Sequence, residues 1–270
     1  MARIAETIRK RVSVRTYDDR PLSAEDQAEL EAFLAQRESP FGVPVAFRLL
    51  DAERHGLKSP VILGEHAYVA AKVARTPLGV LACGYAFEEF CLRATERGIG
   101  TVMLAASLNR KAFEKAMDVT PDEVMPVASP VGYPATKRSM RESMMRKAIK
   151  ADERFPWEQL FYGESFGTAL SPAGAGVFGE PLELLRLAPS AANKQPWRAV
   201  VSGDTVHFFE AHSMKARGAD DIQRFDLGIA LAHFDLARQE AGIQGGFTFN
   251  DQQLALPENM EYIASFKAER

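Results

Sequence analysis

Cysteine is scarce in this 270-residue sequence, which contains only Cys83 and Cys91. Both fall in one apolar, helix-like segment, where eight residues of helix would separate them by about 12 Å. A disulfide requires Cα atoms closer than about 7 Å, so we predict two buried thiols. The histidines show no spacing typical of a metal site, and the sequence therefore predicts no metal centre. The five are His55, His66, His207, His212 and His233.

Strong charge of one sign and long apolar runs are also missing. The formal net charge is -3, which would not attract nucleic acid or an anionic membrane surface. No uncharged apolar run approaches the length that spans a bilayer. The first residues, "MARIAETIRKRVSVR", contain no apolar segment typical of a secretion signal. We therefore expect a cytoplasmic protein without nucleic-acid or membrane partners.

The sequence does contain helix and strand patterns in mixed order. Helices are predicted at 3–11, "LSAEDQAELEAFLAQ", "VLACGYAFEEFCLRATER", 110–117, "PLELLRLA" and "DLGIALAHFDLARQEAGI". Strands are predicted at "VAFRLL", "AYVAAKV" and "VMPVASPVGYP", and a hairpin at "RAVVSGDTVHFFEA". This order does not indicate regular parallel βαβ winding, so we predict an α+β fold.

The two longest predicted helices resemble each other. When they are aligned at an offset of 144 residues (228 − 84), seven of sixteen positions are identical, including the pairs Gly84/Gly228 and Gly98/Gly242. Helical periodicity forces some apolar matches, but glycine weakens a helix interior and is not explained in that way. We predict two related halves, residues 1–150 and 151–270, which pack on each other as the subunits of a homodimer would.

Three polar segments are candidates for a binding site. In "RVSVR", an extended backbone would place Arg11, Ser13 and Arg15 on one side, which suits a ligand with phosphate or carbonyl oxygens. A solvated basic segment is the alternative. Arg138 and Arg141 follow a strand-ending turn in "GYPATKRSMR" and suit a phosphate, although a solvated basic helix would look the same.

The third segment, "LAPSAANKQPWRAVV", carries more polar groups between its two prolines than a simple loop requires. Pro189 ends a helix, Ser190 and Asn193 offer side-chain hydrogen bonds, and Pro196 fixes the exit into a strand. The alternative is a loop whose Ser and Asn bind their own backbone while Trp197 fills the core.

Together these segments resemble the FMN-dependent nitroreductase family. The resemblance rests on "IRKRVSVRTYDDRPLS", "APSAANKQPWRAVV", "CGYAFEEFCLRATERGIGT" and "PVGYP". The family has an R-x-S-x-R opening, a P-S-x-x-N-x-Q-P-W loop, a central helix running into G-x-G, and a G-Y-P turn. Its members are usually homodimers with each flavin at the interface. The resemblance implies a nitroreductase-like α+β fold with bound FMN.

The order of these motifs departs from the family pattern. Here the P-S-x-x-N loop follows G-Y-P and lies in the second half, whereas R-x-S-x-R occurs only in the first half. The chain is similar to a nitroreductase branch that carries both halves in one polypeptide, an intramolecular pseudo-dimer. This implies one complete FMN site between the halves, a degenerate second site and a monomer in solution.

The resemblance also implies roles for individual residues. The residues implied to bind FMN are Arg11, Ser13, Arg15, Ala105, Ala106, Arg138, Arg141, Pro189, Ser190, Ala191 and Asn193. The implied activity moves electrons from NAD(P)H through FMN to a small organic acceptor such as a nitroaromatic or a quinone, and it requires no catalytic side chain. A flavin carrier or sensor without turnover is the alternative function.

Overall fold

A computed structural model describes residues 3–35, 39–250 and 254–269. The helices are α1 (Ile4–Lys10), α2 (Ala24–Ala35), α3 (Ala52–His55), α4 (Pro77–Glu96), α5 (Arg110–Ala116), α6 (Met140–Ala148), α7 (Gly179–Arg186) and α8 (Ile222–Glu240). The strands are β1 (Ala46–Asp51), β2 (Ala67–Ala74), β3 (Gly100–Thr101), β4 (Glu123–Val124), β5 (Ala128–Gly132), β6 (Phe161–Gly163), β7 (Trp197–Ser202), β8 (Thr205–Ala211), β9 (Gly245–Thr248) and β10 (Met260–Ala268).

Two sheets divide the strands at the middle of the chain. The first has the order β1-β2-β5-β3, with β4 paired to β2, and the second has the order β6-β7-β8-β10-β9. When β4 and β6 are left out, each sheet has four strands. In both sheets these lie side by side in the order first, second, fourth, third along the chain. A long helix comes after the second strand in each case, α4 after β2 and α8 after β8. The α+β prediction is confirmed. The division into halves at residue 150 stays a prediction, which this matching strand order supports.

Helices α4 and α8 pack directly on each other between the sheets. A Cβ atom on Gly84 would lie 2.0 Å from the carbonyl oxygen of Phe225, and one on Gly228 would lie 2.1 Å from that of Leu81. Leu81 and Phe225 are themselves 144 residues apart (225 − 81), so the two contacts are reciprocal. The matched glycines therefore allow the helix backbones to approach more closely than any side chain would permit.

Polar side chains cross the same helix pair. The Tyr85 hydroxyl donates to Asp235 at 2.6 Å, and His233 Nε2 lies 2.8 Å from Glu88 Oε1. All four side chains are buried. Buried polar groups are tolerated when they are paired, and here the pairs fix the register of the two helices.

The predicted helices and strands are present with small shifts at their ends. Ser23 accepts a hydrogen bond from the Asp26 amide at the start of α2, as an N-cap should, and Gly98 follows α4 at a φ of 73°. Gln36, the last residue of the predicted second helix, lies outside the described residues. Helix α3 and strands β3, β6, β9 and β10 were not predicted, and the predicted strand "VMPVASPVGYP" is divided between β4 and the shorter β5. Across the described part of the chain, no helix combines the length and the apolar character needed to cross a membrane.

Candidate functional site

A cleft opens beside the N-terminal end of α8, between segments from the two halves of the chain. Its empty space, including the open mouth, is about 910 Å³. One wall comes from residues 11–15, 102–105 and 127, and the other from residues 189–193 and 222–229. Residues 146–154, which join the first half of the chain to the second, complete the lining. The cleft is therefore lined by both halves of the chain and by the segment that joins them.

The segment "RVSVR" forms part of the first wall as extended backbone alongside β3. The Val14 amide donates to the Thr101 carbonyl at 2.9 Å, and Ser13 pairs with Thr101 as a parallel bridge. Val14 packs inward against Gly100, where a Cβ atom would come within 2.8 Å of the valine side chain. This pairing leaves Arg11, Ser13 and Arg15 in the lining of the cleft.

Four arginines, Arg11, Arg15, Arg146 and Arg154, converge on the cleft. Burial lowers the pKa of Arg15, with Glu142 opposing and Arg146 reinforcing the effect. Burial also lowers the pKa of Arg154, and the charge of Arg11 adds to that shift. Asp152, also in the lining, pairs with Arg146. Guanidinium groups remain charged in proteins, so positive charge exceeds negative charge in this poorly hydrated site.

Arg15 is the arginine with an unsatisfied donor. Its Nε is buried and has no hydrogen-bond partner among residues 3–35, 39–250 and 254–269. Arg11 is more committed, because its Nε lies 3.4 Å from the buried Glu88 carboxylate. A buried guanidinium donor without a partner costs free energy, and an anion in the cleft would supply the missing acceptor.

The second wall is the loop between the two prolines, and its backbone is strained. Ala192, Asn193 and Gln195 have φ values of 49°, 56° and 48°, in the left-handed region that non-glycine residues seldom adopt. The Ser190 hydroxyl accepts from the Gln195 amide at 2.8 Å and closes the loop. Strained backbone of this kind persists only when neighbouring contacts hold it in place.

The polar side chains of this loop bind the segment that connects the two halves. Asn193 Nδ2 donates to the carbonyl oxygens of Lys150 and Glu153 at 2.7 and 3.0 Å. Gln195 Oε1 accepts from the Phe155 amide at 2.8 Å. The loop therefore fixes the connection from which Arg154 enters the cleft.

Asp226, in the second turn of α8, is a buried carboxyl group in the cleft lining. Its Oδ2 accepts from the Ala191 amide at 3.0 Å, which ties the loop to the helix. Burial raises the pKa of Asp226 well above its usual range, against the effect of this hydrogen bond, and nearby Glu210 and Asp221 raise it further. The group is therefore held towards its neutral form, in which it does not repel an anionic ligand.

Comparison with known families assigns the chain. The family described as "Putative TM nitroreductase" matches residues 3–238. The chain belongs to this nitroreductase family. The resemblance seen in the sequence is confirmed, and the protein is a nitroreductase-like oxidoreductase. A comparison with curated protein sequences finds no match.

The fold of the whole chain is similar to that of a solved structure. A putative nitroreductase from Thermotoga maritima is similar at 20% sequence identity and a TM-score of 0.62, covering 98% of this chain and 93% of that chain. A nitroreductase family protein from Clostridium difficile covers 59% of this chain and 96% of its own, at 16% identity and a TM-score of 0.45. An FMN-dependent nitroreductase from Clostridium difficile R20291 covers 52% and 94%, at 14% identity and a TM-score of 0.42.

The structure brings most of the predicted nitroreductase site residues together in the cleft. These are Arg11, Ser13, Arg15, Ala105, Pro189, Ser190, Ala191 and Asn193. Ala106, Arg138 and Arg141 do not line it. Ala106 is exposed, Arg138 Nε lies 3.8 Å from Glu142 Oε1, and Arg141 donates to the Pro60 carbonyl at 2.5 Å. Neither arginine after the G-Y-P turn therefore points its charge into the cleft.

Arg146, Arg154 and Asp226 line the cleft but were not predicted from the sequence. Arg146 lies five residues beyond Arg141 on helix α6, in the same basic segment from which Arg138 and Arg141 were chosen. Arg154 lies in "ADERFPW", where nothing in the local pattern separates it from a surface arginine. For Asp226 the sequence did hold a signal, an acidic residue within the apolar run "FDLGIALAHF". An acidic residue that becomes buried in such a run rarely lacks a partner.

Proposed function

We propose that this nitroreductase family member is an FMN-dependent oxidoreductase that moves electrons from NAD(P)H to a small organic acceptor such as a nitroaromatic or a quinone. The observation that carries the proposal is the Arg15 Nε, a buried donor with no partner within the described residues, in a cleft lined by three further arginines. That arrangement suits the phosphate of FMN.

The rest of the cleft also fits this cofactor. Pro189 and Ala191 offer an apolar face beside backbone amides, which suits a flat ring with polar edges. Ser13 and Ser190 add hydroxyl groups on opposite walls. We propose that these residues, with Arg11, Arg15, Ala105 and Asn193, hold FMN between the two halves, and that Arg146 and Arg154 replace Arg138 and Arg141 as the phosphate partners.

When bound, FMN would supply reversible two-electron chemistry between a nicotinamide and a second substrate. The residues of the protein would bind FMN and limit the negative charge near its phosphate. Arg15 and Arg154 would neutralise the phosphate, and Asp226, held towards its neutral form, would add no opposing charge. The Asp226–Ala191 hydrogen bond would hold the loop against α8, beside the ring.

The test is anaerobic reduction of the FMN-loaded protein. Mixing with excess NADH or NADPH should bleach the oxidised flavin absorbance, and adding a quinone or a nitroaromatic should restore it. Retention of the oxidised spectrum with both nicotinamides would refute the nicotinamide-dependent enzyme and favour a flavin carrier or sensor. Failure to bind added FMN at all would refute both functions.

The position of the phosphate site is tested by two matched substitutions. Arg15→Gln should weaken FMN binding about 10- to 100-fold, because a hydrogen bond to a charged group contributes about 1.5–3 kcal/mol. Arg141→Gln removes the same charge outside the cleft and should change the affinity by less than about threefold. Fluorescence titration with FMN measures both. Equal losses would show that Arg141 also contacts the phosphate.

A further inference from the structure

Three metal-ligating side chains meet where strand β8 ends and helix α8 begins. Glu210 lies in β8, His212 follows the strand directly, and Asp221 is the N-cap of α8. Glu210 Oε1, His212 Nδ1 and Asp221 Oδ2 all lie within 4.8 Å of one another. His212 Nδ1 is 2.8 Å from the glutamate oxygen and 3.6 Å from the aspartate oxygen. None of the three residues lines the cleft.

The three facing atoms have no hydrogen-bond partner in the described part of the chain, whereas the other polar atom of each side chain is held. The partners are Arg224 Nε on Glu210 Oε2 at 2.9 Å, Glu261 Oε2 on His212 Nε2 at 3.0 Å, and the Gln223 amide on Asp221 Oδ1 at 2.9 Å. These contacts orient the facing atoms towards a common point. In metal sites, hydrogen bonds from neighbouring residues orient the ligating side chains in the same way.

The facing atoms repel one another unless a proton or a metal ion lies between them. With Nε2 donating to Glu261, Nδ1 of a neutral imidazole presents a lone pair. Glu210 and Asp221 are 0% and 1% exposed, so water does not screen their carboxylate oxygens. A proton on His212 Nδ1 can form a linear hydrogen bond to only one of the two carboxylate oxygens. A divalent ion can accept lone pairs from the nitrogen and both oxygens together.

We propose that Glu210, His212 and Asp221 form a binding site for a divalent transition-metal ion, separate from the flavin cleft. One imidazole and two carboxylates suit Zn²⁺ and ions like it better than Mg²⁺ or Ca²⁺, which prefer oxygen ligands alone. Ligand atoms around a tetrahedral zinc ion are about 3.4 Å apart, and the two histidine distances bracket that value. Two carboxylates also balance the charge of the ion.

The ion would fix the start of α8. It would join β8 to the helix N-cap across the connection at 213–220, one turn before Asp226 and next to Ile222 in the cleft wall. Glu261, on β10, is half-exposed and contacts the outer nitrogen of the imidazole. We expect a structural ion that stiffens this corner of the fold, independently of FMN.

The test uses the full-length chain without an affinity tag, treated with a chelator and then freed of it. Titration with Co²⁺ should give a visible d–d absorption band that saturates at one ion per chain, and Zn²⁺ should displace it. Zn²⁺ should also raise the midpoint of thermal unfolding. Absence of a saturating Co²⁺ band in the wild-type protein would overturn the proposal and indicate that a proton balances the cluster.

Matched substitutions locate the site. Asp221→Asn keeps an N-cap acceptor for the Gln223 amide but removes a charged ligand, and Co²⁺ should bind at least about 100-fold more weakly. Glu261→Gln replaces the carboxylate that orients His212 and raises the basicity of its ring with a neutral amide, and should weaken binding about 10- to 100-fold. His66→Asn, at an exposed histidine near Asp19, should leave Co²⁺ binding unchanged.

Circular dichroism checks that each variant is folded before the metal titration. If Asp221→Asn unfolds the chain, Glu261→Gln at the surface carries the test. Wild-type Co²⁺ affinity in a folded Asp221→Asn variant, or in Glu261→Gln, would overturn the assignment of these residues.

Discussion

At the residue scale, the cleft depends on side chains whose charge is shifted by burial. Asp226 is the clearest case, because its carboxyl group faces a cleft rich in arginine and yet burial, the largest effect on it, raises its pKa. In the unfolded chain the pKa of an aspartate is about 3.9. Above that value the folded protein retains a proton that the unfolded chain has lost, so the stability contributed by this group falls as pH rises towards its folded-state pKa.

Asp226→Asn tests this sign. Asparagine keeps an acceptor for the Ala191 amide and does not titrate. Relative to wild type, the variant should therefore gain free energy of unfolding as pH rises from 5 to 8, by at most about 1.4 kcal/mol per pH unit. Urea unfolding of the flavin-free protein at several pH values measures the difference. Asp220→Asn, the same change at an exposed residue, is the control, and parallel curves for Asp226→Asn and wild type would contradict the shift.

The sequence predicted the site residues whose position follows from local backbone. Ser13 and Arg15 alternate along an extended segment, and Pro189 and Ser190 lie at a helix end, so their neighbours in sequence decide where they point. Arg146 and Arg154 could not be found in this way. The approach of Arg154 to the cleft depends on Asn193 holding the 150–153 backbone, a contact that crosses about 40 residues (193 − 153) and has no local signature.

At the element scale, the α4–α8 pair shows what a sequence repeat can and cannot reveal. The offset of 144 residues predicted two related helices, and Gly84 and Gly228 do meet at their crossing. Strand β10 was missed because a register shift between Tyr262 and Ala264 breaks the alternation that identifies a strand. Residues 263–266 are buried in succession, which periodicity alone does not distinguish from a buried helix.

Gly84→Ala tests the helix crossing. Alanine would favour the helix by up to about 1 kcal/mol, but its Cβ would collide with the Phe225 carbonyl, and overpacking typically costs about 1–3 kcal/mol. Because the obstacle is backbone, we expect a net loss of roughly 2 kcal/mol in the free energy of unfolding, measured by chemical denaturation. Gly246→Ala, where no described atom lies within 4 Å of the added Cβ, should stay close to wild type.

At the scale of the whole molecule, the cleft has one wall from each side of residue 150. If the two halves occupy each other's interface as subunits would, the protein should be a monomer that binds one FMN per chain. Light scattering coupled to size exclusion gives the mass, and titration followed by fluorescence gives the stoichiometry. A stable dimer, or two FMN per chain, would contradict the single-site arrangement; loss of binding in Asn193→Ala would support it.

The reciprocal glycine contact between α4 and α8 also bears on how such a chain can change over generations. In a symmetric assembly of identical subunits every substitution is made twice, once on each side of the axis. Here Gly84 and Gly228 are encoded separately, and so are the positions around them: 144 residues after Tyr85 the chain has Ile229, and 144 residues before His233 it has Glu89. A position on α4 can therefore be altered by a single mutation while its counterpart on α8 stays fixed, a freedom that a gene for one subunit does not have.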